Sequence, residues 1–217
     1  MNTQRKNAIL IGGLFILAIF AYAFGDGLIA PLLQKPTNAQ SLVTGKTQIV
    51  IGALLILGNN LSITIIGILM FPVLHAYHKT VALGYVGARI IEAVLLTIGV
   101  IGLLILPEIA QSSPNQLQTW VPIGLKVNFL SYQMAMLILG IGSVALCASL
   151  YKSQLIPKWL SVWGGVGYFL LAMGAIAELF GFAVGVMFAI PGGVFELVFG
   201  VWLIIKGFKK QSTLILN

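Results

Sequence analysis

Six blocks of apolar residues constrain this chain more than anything else in it: Ala8 to Ile29, Ile49 to Leu74, Val81 to Leu106, Phe129 to Tyr151, Leu160 to Phe180 and Val184 to Ile205, each at least 21 residues long. About 20 apolar residues in a helix cross the hydrocarbon of a bilayer. Backbone amides find no water there, so each block has to close its hydrogen bonds within itself, as a helix. A barrel is excluded, because its strands alternate apolar and polar residues over about 10 positions, and nothing here alternates that way. Only 8% of the 217 residues are charged and the mean hydropathy is +1.04, whereas soluble domains carry about a quarter of charged residues. A water-soluble domain is excluded. The expected fold is all-α: a single six-helix transmembrane domain over residues 1–217 that meets the lipid bilayer on its outer face.

The first block has features of a secretory leader, with Arg5 and Lys6 ahead of the apolar run and Ala21-Tyr22-Ala23 as a small-residue site. Its run from Ala8 to Gly25 exceeds the roughly 7–15 apolar residues of a leader, so it reads as a retained span. Lys and Arg then orient the bundle, because short cytoplasmic loops carry their excess. Arg5, Lys6, Lys79, Lys152, Lys158, Lys206, Lys209 and Lys210 fall on one side; Lys35, Lys46 and Lys126 fall on the other. This predicts a plasma-membrane protein with both termini in the cytoplasm. Two longer connections, Gln34 to Gln48 and Pro107 to Asn128, face outside, and no loop has room for an extramembrane domain. Trp159 and Trp163 suit the headgroup level of the fifth span, and Pro157 suits its first turn, where the missing N–H is not needed. The net charge of +7 comes from the ends of spans rather than from a basic run, so nucleic acid is not expected as a partner.

The twelfth basic residue, Arg89, lies inside the third block. An ionisable residue within a span costs about 2.5–3.5 kcal/mol on insertion scales and calls for a partner or a function. Glu92 follows by three positions and Tyr85 precedes by four, which puts all three on one helix face. At 1.5 Å per residue, Arg89 lies roughly 15 Å from Lys79, Glu92 roughly 20 Å, and Glu196 roughly 15 Å from Lys206. The three can meet near the midplane. Two readings stand side by side: a proton-linked or anion-binding centre, in which one cation faces two carboxylates, and a buried ion pair that holds the third and sixth helices in register.

Toward the outside, Asp26, Asn59, Asn60, Asn128, Tyr132, Gln133 and Glu178 form a second polar level: either a vestibule, with Asn59 and Glu178 as its binding residues, or span ends turning polar near water. His75 and His78 have the H-x-x-H spacing but no further ligands in sequence, so interface residues are expected and no metal. Cys147 sits in an apolar block as a small hydrophobe. Gly84 with Gly87, Gly140 with Gly142, and Gly192-Gly193 with Gly200 have helix-packing spacing, and Pro191-Gly192-Gly193 is a place where the sixth helix would kink or break. No catalytic motif for hydrolysis or phosphate chemistry occurs and no haem ligand pair, so no catalytic residue and no cofactor is assigned. Spans one to three and four to six run in opposite senses, as in an inverted repeat, with Glu92 and Glu196 near the middle of the third span of each half.

Three stretches then point to relatives: Leu83-Gly84-Tyr85-Val86-Gly87-Ala88-Arg89-Ile90-Ile91-Glu92, Leu150 to Gly164 with its Pro157-Lys158-Trp159, and Pro191-Gly192-Gly193-Val194-Phe195-Glu196 followed by Trp202 to Phe208. In that order they resemble the domain of unknown function 4386 family. The resemblance runs from the first span to Phe208 and implies a small multi-span membrane protein of bacteria or archaea; it implies no substrate. It places Arg89, Glu92 and Glu196 within recognisable motifs and leaves His75 and His78 outside them. The leading expectation is a small-solute or proton-linked carrier or binding protein using Arg89, Glu92, Glu196, Tyr85, Asn59 and Glu178. The alternatives are a structural or regulatory subunit, forming a homo-oligomer or joined to another membrane protein, and an intramembrane enzyme acting on lipid or quinone through Glu92 and Glu196.

Overall fold

A computed structural model describes residues 3–33 and 39–209. Helices α1 (Thr3–Leu33), α2 (Ala39–Thr44), α3 (Lys46–His75), α4 (Lys79–Ser112), α5 (Leu117–Ser153), α6 (Lys158–Leu179) and α7 (Gly185–Ile205) follow one another, and the described residues contain no strand. All but α2 are long and apolar enough to cross a membrane, so the chain is a multi-pass, all-helical membrane protein.

The helices outrun the apolar blocks. The stretch expected as a long outer loop, Pro107 to Asn128, is nearly all helix: α4 continues through Pro107 to Ser112, a single 3-10 turn spans Pro114–Gln116, and α5 starts at Leu117 with Pro122 inside it. Polarity ends the apolar block but does not end the helix, since the backbone keeps gaining a hydrogen bond per added residue until Ser113 and Pro114 interrupt it. Likewise α2 and the start of α3 occupy the described part of the other expected loop, 39–48. Lys35 and Lys210 lie outside the described residues. Pro157 is the residue just before α6, its carbonyl accepting from Leu160 and Ser161, rather than the first residue within it. Helix α7 runs unbroken through Pro191-Gly192-Gly193.

Each long helix packs on its neighbours in sequence, and α7 closes back onto α1, so the six spans form a ring. Both ends of the described chain lie at one end of that ring, called here the terminal end. There the Arg5 guanidinium donates to the carbonyls of Leu203 (3.0 Å), Ile204 and Ile205 (2.9 Å), capping the last turn of α7. The Lys209 amide donates to Leu155 O at 2.8 Å and ties the chain to the α5–α6 turn. Of the basic residues described, seven lie at the terminal end; Lys46 and Lys126 lie at the far end, where Lys46 pairs with Glu108 at 2.6 Å.

Small residues set how closely the ring closes. A Cβ on Gly12 would collide with the carbonyl oxygen of Gly200, drawing α1 onto α7 in the terminal half; one on Gly25 would lie 2.7 Å from Gly52 O, drawing α1 onto α3 in the far half. Gly140, Gly142, Gly192 and Gly200 sit at helix contacts as their spacing suggests, whereas Gly84, Gly87 and Gly193 have nothing within 4 Å of a Cβ placed on them. Their spacing is right, but the face they share meets open space rather than a packed helix.

Candidate functional site

The ring surrounds a cavity of about 270 Å³ to which all six spans contribute. Its floor is the charged cluster. Arg89 on α4 uses every side of its guanidinium: Nε donates to Tyr85 Oη at 2.9 Å, Nη1 to Glu92 Oε2 at 3.0 Å, and Nη2 reaches Glu196 Oε1 on α7 at 3.5 Å. The first two contacts follow from helical spacing alone, i to i−4 and i to i+3. The third is tertiary. Tyr168 on α6 completes it by donating to the same Glu196 Oε1 at 2.7 Å. The guanidinium also lies 5.6 Å from the Phe15 ring centroid and 5.2 Å from that of Tyr85, within the range where an aromatic face attracts a cation.

The three charged side chains are not equally enclosed. Arg89 and Glu92 are 2% and 4% exposed, while Glu196 is 17% exposed and borders the cavity. Its Oε1 takes both contacts, from Arg89 and from Tyr168, and its Oε2 makes no hydrogen bond among the described residues. One guanidinium thus faces two carboxylates, of which Glu196 is the one that borders the cavity.

On the terminal side the site is sealed. Ile11, Met70, Ala82, Leu146, Leu160 and Phe199, one from each span, are fully buried there. Phe195 stacks on Phe199 at 5.4 Å and takes the edges of Tyr168 and Trp163 at 5.6 and 6.3 Å. On the far side the cavity adjoins a second space of about 500 Å³ between α5, α6 and α7, the two sharing Tyr132, Met136, Leu171 and Ala189 as walls. Tyr22 and Tyr132, with ring centroids 5.9 Å apart, divide the cavity from the packed residues around Asp26 and Asn128.

The structure brings Arg89, Glu92, Glu196 and Tyr85 into one cluster and places Asn59 on the wall of the same cavity. Asn59 donates to Asn60 Oδ1 at 3.0 Å, Asn60 to Thr97 at 2.9 Å and Thr97 to Ala93 O at 2.7 Å, a polar ladder between α3 and α4 one level above the ions. Glu178 stands apart. It lines the outer space and its Oε1 accepts from the Gly185 amide at 2.6 Å, capping the first turn of α7, where a carboxylate is favoured by the exposed amides and the helix dipole. His75 lies against the Phe71 ring at 5.1 Å, and His78 precedes α4 without a side-chain capping bond. Among the described residues no group of three His, Cys, Asp or Glu could hold a metal.

Three contributors escaped the sequence reading. Tyr168 and Phe15 are ordinary aromatic residues of apolar blocks, with no charged neighbour in sequence to mark them. Gly67 on α3 leaves room for the Arg89 stem, since a Cβ there would lie 3.0 Å from Arg89 Cβ. A tyrosine four residues from a glycine on a packed face, as Tyr168 is from Gly164, was the only available signal.

Fold and site together define an all-helical, multi-pass membrane protein with a charged centre enclosed by its six spans. The chain matches the family described as "Domain of unknown function (DUF4386)" over residues 10–207 and belongs to that family. No curated protein and no solved structure matches it.

Proposed function

We propose that this protein is a proton-linked carrier or binding protein for a small solute, set in the plasma membrane with its terminal end in the cytoplasm, and that Glu196 is the group that loads and unloads. The observation that carries this reading is the partly open Glu196 carboxylate at the floor of a cavity that all six spans enclose. A pure ion pair between α4 and α7 would need only Arg89 and one acid. Here Glu92 already satisfies Arg89, and a second acid is placed where it contacts empty space. The unbalanced negative charge is neutralised by a proton or by a cationic group of the solute, and exchange between the two links the movements of both. Glu196 is faced by Arg89, Glu92 and Tyr85 from α4 and by Tyr168 from α6, while Tyr22 of α1 and Tyr132 of α5 line the same cavity.

The lysine sorting supports the orientation, because the end carrying Arg5, Lys6, Lys79, Lys152, Lys158, Lys206 and Lys209 takes the cytoplasmic side. The cavity then opens outward. Gly193 borders the cavity, is exposed and has room for a side chain. In a Cys147→Ala background, Gly193→Cys is expected to react with a membrane-impermeant maleimide in intact cells and not in inverted vesicles. Protection from both sides would mean a dry centre, and the structural-subunit reading would take its place.

A further inference from the structure

We propose that the solute is a hydrophobic organic cation, an amine whose ammonium contacts Glu196 and whose apolar body lies in the cavity, and that it arrives sideways from the outer half of the membrane between α1 and α7. This rests on the binding reading above and names its ligand class. The charge of the site is the first argument. Two carboxylates against one guanidinium favour a cation over an anion, and Oε2 of Glu196, without a hydrogen bond among the described residues, is an acceptor for an N–H donor. Three tyrosines, Tyr22, Tyr132 and Tyr168, line the cavity beside it, and aromatic faces and hydroxyls suit an ammonium group.

The walls exclude a small inorganic ion. A hard cation requires about six oxygen ligands or retained water, whereas most of the remaining lining is apolar: Ile19, Ile63, Leu96, Met136, Leu139 and Leu171. Such walls match a ligand with one charged end and a hydrocarbon remainder, as in small-molecule sites with few polar groups.

The third argument is the shape of the ring. Helix α1 touches α7 at Gly12 and Gly200 in the terminal half but leaves it for α3 at Gly25 and Gly52 in the far half. The two helices therefore diverge toward the outside. Ala23 on α1 and Gly193 on α7, both exposed, form the two edges of the gap, and both also line the cavity. The first half of α7 is the least covered part of the bundle, with Val186 81%, Met187 72% and Ile190 57% exposed. A path from the hydrocarbon to Glu196 thus crosses mostly apolar surface before it joins the outward mouth of the cavity that Gly193 also borders, and an amphiphilic amine concentrated in the membrane can follow it.

The test uses the full chain in lipid nanodiscs with 4-phenylbutylamine as probe, and 4-phenylbutanol and 4-phenylbutyrate as uncharged and anionic counterparts, each titrated calorimetrically against empty nanodiscs. The amine is expected to bind saturably at one site per chain, at least tenfold tighter than the alcohol, with no binding of the acid. Glu196→Gln is expected to weaken the amine at least tenfold and leave the alcohol unchanged. Because that variant alters a buried network, Gly193→Trp serves as a second: it spares the cluster, fills the gap, and is expected to slow amine association at least fivefold. Equal binding of alcohol and amine, preference for the acid, or amine binding indifferent to Glu196→Gln would overturn the proposal. Should the amine fail while Gly193→Cys is still labelled from outside, the ligand class is wrong and the carrier reading stands; should labelling fail too, both fall.

Discussion

At the scale of single residues, Arg89 holds the centre together because it is the common partner of Tyr85, Glu92 and Glu196. Removing it strands two carboxylates. Arg89→Leu is expected to destabilise the protein by about 3–5 kcal/mol, the usual effect of leaving a buried charge without its partner. Arg89→Leu with Glu92→Leu removes the more deeply buried acid together with its cation and is expected to recover most of that loss, since a well-packed apolar pair often replaces a buried ion pair at no cost. Thermal unfolding in detergent of the wild type, the single and the double variant measures this; a double variant as unstable as the single would show that Glu196, not Glu92, is the acid that Arg89 chiefly serves. Arg89, Glu92 and Tyr85 were legible as a group because helical spacing alone determines their proximity. Glu196 was legible by depth, its ten residues from Lys206 matching the ten of Arg89 from Lys79. Tyr168 and Phe15 were not, because what brings them to the cluster is the closing of the ring, and no local pattern encodes which face of α6 or α1 turns inward.

At the scale of elements, the direction of α1 decides whether there is an opening. Its two glycine contacts, to α7 through Gly12 and to α3 through Gly25, fix its tilt, and backbones approach this closely only where no side chain intervenes. Gly25→Val is expected to push α1 off α3, costing about 1–3 kcal/mol as overpacking does, and to lower the labelling rate of Gly193→Cys as α1 moves toward α7. Gly84→Ala, which adds a methyl group to open space, is the control and is expected to shift the unfolding midpoint by less than a degree or two upward through its better helix propensity. Equal destabilisation by both would refute the contact assignment. Glycine spacing in the sequence could not separate these cases, because it reports which residues share a stripe and not what the stripe faces. The apolar blocks located all six spans for a stronger reason, the absence of water for the backbone. They understated α4 and α5, whose helices pass through Pro107 and Pro122 into polar sequence where the membrane argument has no force.

At the scale of the whole molecule, the glycine contacts fit the inverted repeat that the opposite senses of the two halves suggest. Gly25 meets Gly52 between α1 and α3, as Gly140 meets the Tyr168 carbonyl between α5 and α6; Gly12 meets Gly200 between α1 and α7, as Gly124 meets the Gly102 carbonyl between α5 and α4. Glu92 and Glu196 sit on the corresponding third helices, α4 and α7. Under this correspondence the outer gap between α1 and α7 has a counterpart between α5 and α4 at the terminal end, and that counterpart is shut: a Cβ on Gly142 would lie 2.6 Å from Ala88 Cβ. The shut half also contains two buried hydroxyls without a hydrogen-bond partner, Ser143 Oγ and Ser149 Oγ, an arrangement that costs stability and that water would relieve if the seal parted. An alternating carrier is expected to exchange one opening for the other, as inverted repeats allow. Gly142→Leu wedges α4 from α5 and should favour that exchange. In the Cys147→Ala background, Ser143→Cys alone is expected to resist impermeant maleimide from both sides. Combined with Gly142→Leu it is expected to react in inverted vesicles, while Gly193→Cys with the same wedge loses reactivity in intact cells by at least threefold. A wedge that leaves Ser143→Cys protected and Gly193→Cys as reactive as before would make this a binding protein with one fixed mouth. Reciprocal changes at two positions on opposite sides of Glu196 would instead establish that the two halves move as a pair around it, because a local distortion beside Gly142 has no route to Gly193 except through the ring.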